Sequence, residues 1–344
     1  MSDLEISTHS ATDPSPRLPD TLRLGAVHLT VSGLDRSVDF YENSIGLQLH
    51  RREGGVAAIG VGGEDLLVLY EEPGARRAGR HAGLYHYALL FPSREALARA
   101  AVRLAATKAP IQGASDHGTH EAIYLPDPDG NGIELAADRP RERWPRPLDY
   151  AGGPQRLDMD GLLATVRGEE ARPGIGPDLA VGHVHLHVGD LQRGLGFYQD
   201  TLGFELMTFM PGAAAFVSAG GYHHHLGFNV WRGEGVPPVP EGRVGLRHWT
   251  VVLEDAGDVA AVGERVRAAG VATEERDGGL LARDPWGIAV LFALPRGTRG
   301  VRGQIWARNA GRCRPGPGWG ARYVSRAACL GLGARESGSM GRPT

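Results

Sequence analysis

Apolar and polar positions fall into one short pattern four times along the chain. Residues 25–31 alternate as a strand does, with successive side chains on opposite faces. Residues 34–43 then take helical spacing, with Val38 and Tyr41 on one face, and 56–59 and 66–70 are further strand candidates. The order recurs as a strand over 85–91, a helix over 94–107 and strands near 122–125 and 132–136. Third and fourth units begin at His183 and His248. Each unit reads as βαβββ. A lone unit leaves one sheet face uncovered, so the units must pair and curve around a shared cavity. The expected fold class is α+β: four βαβββ modules paired into two cupped half-barrels.

The pattern is also a repeat of sequence. His28-Leu-Thr-Val and the Phe40-Tyr41 that follows recur as His185-Leu-His-Val and Phe197-Tyr198, an offset of 157 residues. Gly46-Leu47 maps onto Gly203-Phe204, and Asp127-Pro128 onto Asp284-Pro285, with the same offset. The expected organisation is a disordered N-terminus over 1–19, a first two-module domain over 20–140, a linker over 141–177, a second two-module domain over 178–296 and a tail over 297–344. The linker is rich in Pro, Gly and Arg, with one short helix near 159–166. The tail carries many Arg and Gly, with Glu336 its only acid, and reads as disordered.

Composition narrows the function. No apolar run approaches the ~20 residues that cross a bilayer, and the N-terminus does not read as a signal peptide. The expectation is a cytoplasmic protein without a membrane partner. A net charge of −3 argues against nucleic acid. The two cysteines, Cys313 and Cys329, both fall in the tail. A metal site in the folded part must therefore use His and carboxylates.

The module-opening strands can be superposed. A His lies five residues before the last apolar residue in three of them, as His86, His183 and His248; the first has Ala26 there. Alternation then points each His the same way. The second module closes on Asp-Pro-Asp-Gly-Asn-Gly-Ile-Glu134, whereas the fourth has Leu291 at the Glu position. The third contributes Tyr222-His223-His224-His225-Leu-Gly-Phe-Asn229-Val-Trp231. Three consecutive His cannot all face inward. Residues His28, His185 and His187 read as cavity-wall or strand residues, and Phe40-Tyr41 and Phe197-Tyr198 as helix-to-sheet packing.

These motifs, with the phrases GLYHYALLFPSR, GASDHG, YLPDPDGNGIEL, GHVHLHV and GGYHHHLGFN, resemble the vicinal-oxygen-chelate (glyoxalase/bleomycin-resistance/extradiol dioxygenase) superfamily. Within it they are similar to the four-module catechol 2,3-dioxygenase branch, over roughly residues 20–295. The resemblance implies an extradiol dioxygenase that cleaves catechol or a substituted catechol with O2, using Fe(II), or Mn(II), on two His and one Glu. Such a facial set leaves three open positions, two for a diol and one for dioxygen.

The family usually pairs the last two modules, but His183 and His248 lack a Glu at 291. First with second offers His86 and Glu134 against Ala26. Second with third gives a full set: His86, His183 and Glu134. Tyr124 lies ten residues before Glu134, as the family's catalytic Tyr does, and His117 stands for an upstream catalytic His. His224 best matches the acid–base histidine, with His223 and His225 as rivals; His225, Asn229 and Trp231 are expected to contact substrate. The expected partners are a small aromatic diol and O2, with homo-oligomerisation left open. Two other readings stay open. One is a glyoxalase-type isomerase or thiol transferase, which needs a fourth protein ligand; Glu71 is an acid for that role but sits in the first module. The other is a ligand-sequestering resistance protein, which needs an apolar cleft and no metal triad.

Overall fold

The computed structural model describes residues 17–148, 153–169 and 174–295. A short strand β1 (Arg23–Leu24) leads into the first module: β2 (Val27–Val31), α1 (Leu34–Phe40), β3 (Gln48–Glu53), β4 (Val56–Val61) and β5 (Glu64–Glu71). The second comprises β6 (Gly83–Phe91), α2 (Arg94–Ala106), β7 (Gly113–Asp116), β8 (His120–Pro126) and β9 (Gly132–Asp138). A short strand β10 (Gln155–Arg156) and a helix α3 (Met159–Ala164) occupy the connection. The third module is β11 (Ala180–His187), α4 (Leu191–Leu195), β12 (Glu205–Met210), β13 (Ala214–Ser218) and β14 (Leu226–Asn229). The fourth is β15 (Gly245–Val252), α5 (Ala256–Ala268), β16 (Thr273–Arg276), β17 (Gly279–Arg283) and β18 (Ala289–Ala293).

Each module has one parallel neighbour pair, its opening strand beside its closing strand. A parallel pair needs a crossover, and the module helix is part of that crossover. The helices are held by their apolar faces. In α2, Leu97, Ala98, Ala101 and Leu104 are buried, and Ser93 caps the first turn by accepting from the Ala96 amide. Burying a leucine side chain contributes roughly 1.5–3 kcal/mol.

The modules pair across the repeats. One nine-stranded sheet runs β16-β17-β18-β15-β2-β5-β4-β3, with β1 on β15; the other runs β10-β7-β8-β9-β6-β11-β14-β13-β12. The first module therefore shares a sheet with the fourth, and the second with the third. Both junctions are antiparallel: β2 on β15, and β6 on β11. Each sheet takes one module from 20–140 and one from 178–296.

A repeated tie holds consecutive modules together although they lie in different sheets. Tyr41, just after α1, donates its hydroxyl proton to Asp127 at 3.2 Å, and Tyr198, just after α4, donates to Asp284 at 2.8 Å. Both carboxylates also cap their turns: Asp127 accepts from the amides of Asp129 and Asn131, and Asp284 from those of Trp286 and Ile288. The Phe-Tyr motif, expected only to pack, thus also carries a buried hydrogen bond.

The expected disordered stretch 1–19 ends too late. Leu18 is 3% exposed and its amide donates to the Gly203 carbonyl, because an apolar side chain there finds a place in the core. Residues 1–16 and the tail from 296 onward lie outside the described residues. Among the described residues no helix is long and apolar enough to cross a membrane.

Candidate metal centre

β9, β6 and β11 lie side by side in the middle of the second sheet. β9 runs parallel to β6 with Glu134 opposite Ala88. On the other side the register of β11 slips: Val181 pairs with Leu89 and Val184 with Tyr87, so residues 182 and 183 together oppose Ala88. This is a β-bulge, a device that re-aims a side chain. Gly182 suits it, since a Cβ there would meet the Leu90 Cβ at 2.9 Å. The bulge turns His183 toward His86 and Glu134.

Three atoms converge. His86 Nε2 lies 3.0 Å from Glu134 Oε2, His183 Nε2 lies 3.2 Å from the same oxygen, and the two nitrogens are 3.3 Å apart. All three residues are at most 5% exposed. These separations can be tested against an ion. With bonds of about 2.2 Å, cis positions of an octahedron are about 3.1 Å apart. The triad fits one face of such an octahedron. Softer sulfur ligands are absent from it, which suits a hard or intermediate divalent ion.

Electrostatics agree with ligation. Burial pushes the Glu134 carboxyl up, but the charge of His183 and hydrogen bonds from His120, His183 and His86 outweigh it, holding it well below the usual carboxylate range. Burial lowers the pKa of His183, which favours the neutral form that a metal ligand must adopt. The second carboxylate oxygen, Oε1, faces His120 Nε2 at 3.0 Å. Such outer partners orient a ligating carboxylate.

The triad sits in a cavity of about 410 Å³. Tyr124, His117 and His224 line it, as expected, together with Trp231 at 54% exposure. Tyr124 Oη and His117 Nε2 are 2.7 Å apart. Burial and the charge of Glu134 push the Tyr124 phenol well above its usual pKa. Burial likewise lowers His117 to about 4 and His224 well below the usual range, so both are neutral. His185, Met210 and Phe216 complete the wall.

Two expected contacts lie elsewhere. His225 faces a second cleft with Tyr222 and Arg141, its Nδ1 2.8 Å from Ser218 Oγ, just ahead of the strand that begins at Leu226. Asn229 stands behind the wall: its amide donates to His185 Nε2 at 3.0 Å and its oxygen accepts from His187 Nδ1 at 2.8 Å and from the Trp231 amide. It orients wall residues rather than touching the cavity. His248, in the other sheet, stacks on His28 at 3.8 Å. Glu71 is also in that sheet and accepts from the Leu34 amide, capping α1.

Two residues escaped the sequence reading. His120 lies four before Tyr124 on β8, and Asp138 four after Glu134 on β9, each on the same strand face as its neighbour. That spacing was the available signal. His120 and Asp138 are cross-strand partners.

The chain's likeness to known proteins follows the same geometry. A model of the Glyoxalase/Bleomycin resistance protein/Dioxygenase superfamily matches residues 23–135 and 180–292, two spans separated by the repeat offset, 180 − 23 = 157. A catechol-2,3-dioxygenase of Bacillus subtilis (strain 168) is 41% identical over 268 residues, covering 76% of this chain and 93% of the relative. Two solved structures share the fold. One is a candidate dioxygenase from Bacillus subtilis subsp. subtilis str. 168, with a TM-score of 0.55, 16% identity, and 79% and 86% of the two chains covered. The other is glyoxalase I from Zea mays, at 0.51 and 20%, covering 79% and 92%. On the repeated family match and the 41% identity, the chain belongs to the glyoxalase/bleomycin resistance protein/dioxygenase superfamily, as a catechol-2,3-dioxygenase-like enzyme.

Proposed function

We propose that the protein is an extradiol dioxygenase acting on catechol or a substituted catechol, with Fe(II) held by His86, His183 and Glu134. The observation that carries this reading is the triad: two imidazole nitrogens and one carboxylate oxygen 3.0–3.3 Å apart in one cavity. When bound, the ion supplies a Lewis acid that lowers the pKa of a chelating diol and an electron path between diol and dioxygen.

The protein's own groups handle protons and position. Neutral His224 accepts the proton a diol hydroxyl releases. Tyr124 stays protonated, because burial and Glu134 disfavour its anion. A proton on His117 Nε2, donated to the phenol oxygen, leaves Tyr124 as a donor, held by Glu134 until a substrate oxygen takes over that hydrogen bond. Met210 and Phe216 offer an apolar surface to the ring beside His185, and Trp231 borders the cavity. In the net reaction the ring C–C bond beside the diol breaks. Both atoms of O2 enter the product, one on each new terminal carbon.

The rival readings find less support. A glyoxalase-type reaction would want a further carboxylate ligand, and Glu71 is engaged in capping α1 in the other sheet. A sequestering protein has no use for a buried His-His-Glu triad. The test is anaerobic purification with metal analysis, then oxygen uptake on a panel of catechols. Uptake matched by ring-opened product supports the proposal; an iron-loaded protein that consumes no oxygen with any catechol overturns it.

A further inference from the structure

A chain of three side chains runs outward from the cavity wall, and the proposed reaction uses only the first of them, His224, directly. Asp138 Oδ1 is 3.0 Å from His223 Nε2, and His223 Nδ1 is 2.8 Å from His224 Nδ1. Only His224 of the three lines the cavity; His223 is 1% exposed. We infer that Asp138 and His223 are positioning residues that fix the tautomer of His224, so that its Nε2 carries no proton when substrate arrives. The inference rests on the dioxygenase reading, in which His224 is the base.

The argument follows the donors and acceptors. A carboxylate is acceptor-only, so His223 Nε2 must donate to Asp138. Burial pushes the Asp138 carboxyl up, but the hydrogen bond from His223 outweighs it and holds it below its usual range, so it is ionised. Burial lowers His223 to about 4, which leaves it neutral with a single ring proton. That proton is committed to Asp138, so His223 Nδ1 is an acceptor. At 2.8 Å one of the two facing Nδ1 atoms must be a donor. It has to be that of His224. Neutral His224 then holds its only proton on Nδ1, and Nε2 is the basic nitrogen. The logic is that of a carboxylate setting the tautomer of a catalytic imidazole, extended by one more ring.

The same cluster offers His120, Asp138 and His223 as ligands for a second metal ion. Ring geometry argues against that. His120 and His223 stack at 4.8 Å with planes 12° apart. Imidazole lone pairs lie in the ring plane, so two parallel rings cannot aim at one ion between them. His120 Nε2 is also turned to Glu134.

The test is nitrogen NMR of the full chain carrying isotope-labelled histidine, read in the metal-free and the zinc-substituted protein. The His224 signals are assigned by their loss in His224→Phe. The wild type should show His224 protonated at Nδ1 and bare at Nε2. In Asp138→Ala the pattern should shift toward the other tautomer or an average of both. A wild type protonated at Nε2, or an Asp138→Ala protein with an unchanged His224 pattern, overturns the inference. In kinetics, Asp138→Ala should lower kcat by roughly ten- to hundredfold, with KM and bound metal unchanged. Asp138→Glu should recover part of the loss. A fall in metal content equal to the fall in kcat would mark Asp138 as structural and overturn the inference. Should Asp138→Ala fail to fold, the wild-type spectrum alone still decides. The two readings separate cleanly. The expected tautomer without catechol turnover removes the dioxygenase role and leaves the wiring. Turnover with His224 protonated at Nε2 removes the wiring alone.

Discussion

His86 and His183, 97 residues apart in the chain, bring their Nε2 atoms to 3.3 Å across the antiparallel junction of β6 and β11. That contact exists only because the second module pairs with the third. It fixes which histidines can share an ion and separates them from His248, which stacks on His28 in the other sheet.

Metal retention should follow this division. His86→Ala, His183→Ala and Glu134→Ala are each expected to abolish bound iron, measured after anaerobic reconstitution and desalting. His248→Ala should retain it. Loss of metal on His248→Ala alone would assign the ion to the wrong sheet.

Proton transfer should depend on His224 and not on its neighbour. His224→Phe is expected to keep the metal and lose roughly two or more orders of magnitude in turnover. His225→Phe, which alters the second cleft, should stay within a few-fold of wild type. Steady-state rates on one catechol decide between them.

The bulge at Gly182 offers a structural test of the site. In Gly182→Ala the new Cβ would come within 2.9 Å of the Leu90 Cβ, so β6 and β11 must shift apart. A cost of about 1–3 kcal/mol in stability is expected for such overpacking, together with weaker iron binding as His183 moves. An unchanged unfolding midpoint and unchanged iron affinity would mean that the junction yields without strain.

Asp284 should impose its own pH dependence on stability. Burial raises its pKa to about 6 despite the Tyr198 hydroxyl and the amides of Ile288 and Trp286. Between the unfolded value, ~3.9, and about 6, the folded state binds the proton more tightly. Stability from this group is therefore full at low pH and falls as pH rises through that window. The loss above the folded pKa amounts to roughly 3 kcal/mol. Asp284→Asn removes the titration. Denaturant unfolding from pH 4 to 7 should show the wild type losing stability relative to Asp284→Asn; parallel curves would contradict it.

The fold was largely legible because it repeats. Alternation and helical spacing located the four modules, and Asp127-Pro128 with Asp284-Pro285 set their register. The strand β3 was harder to read: its sequence, Gln-Leu-His-Arg-Arg-Glu, carries charge because it is a sheet edge, where polar side chains guard against foreign pairing. At the site, His86, His183 and Glu134 stood out because strand periodicity fixes which way a side chain points, and the structure brings them together. His225 went astray for the same reason: among three adjacent histidines, periodicity separates neighbours but cannot say which one faces in. Asp138 and His120 went unnoticed because their importance lies in partners 85 residues and 14 residues away, contacts that no local pattern announces.

The pairing of the first module with the fourth also sets a clock on synthesis. His28 and His248 are partners across β2 and β15, 248 − 28 = 220 residues apart. At roughly 5–20 residues per second, β2 is made some ten to forty seconds before the strand it will join. For that interval its edge is open, and so is the apolar face that β15 will help to cover. The second sheet, which carries the metal-ligand triad, has all of its strands once Asn229 has been made. The cavity can therefore form while its sister sheet still waits for its last partner on the ribosome.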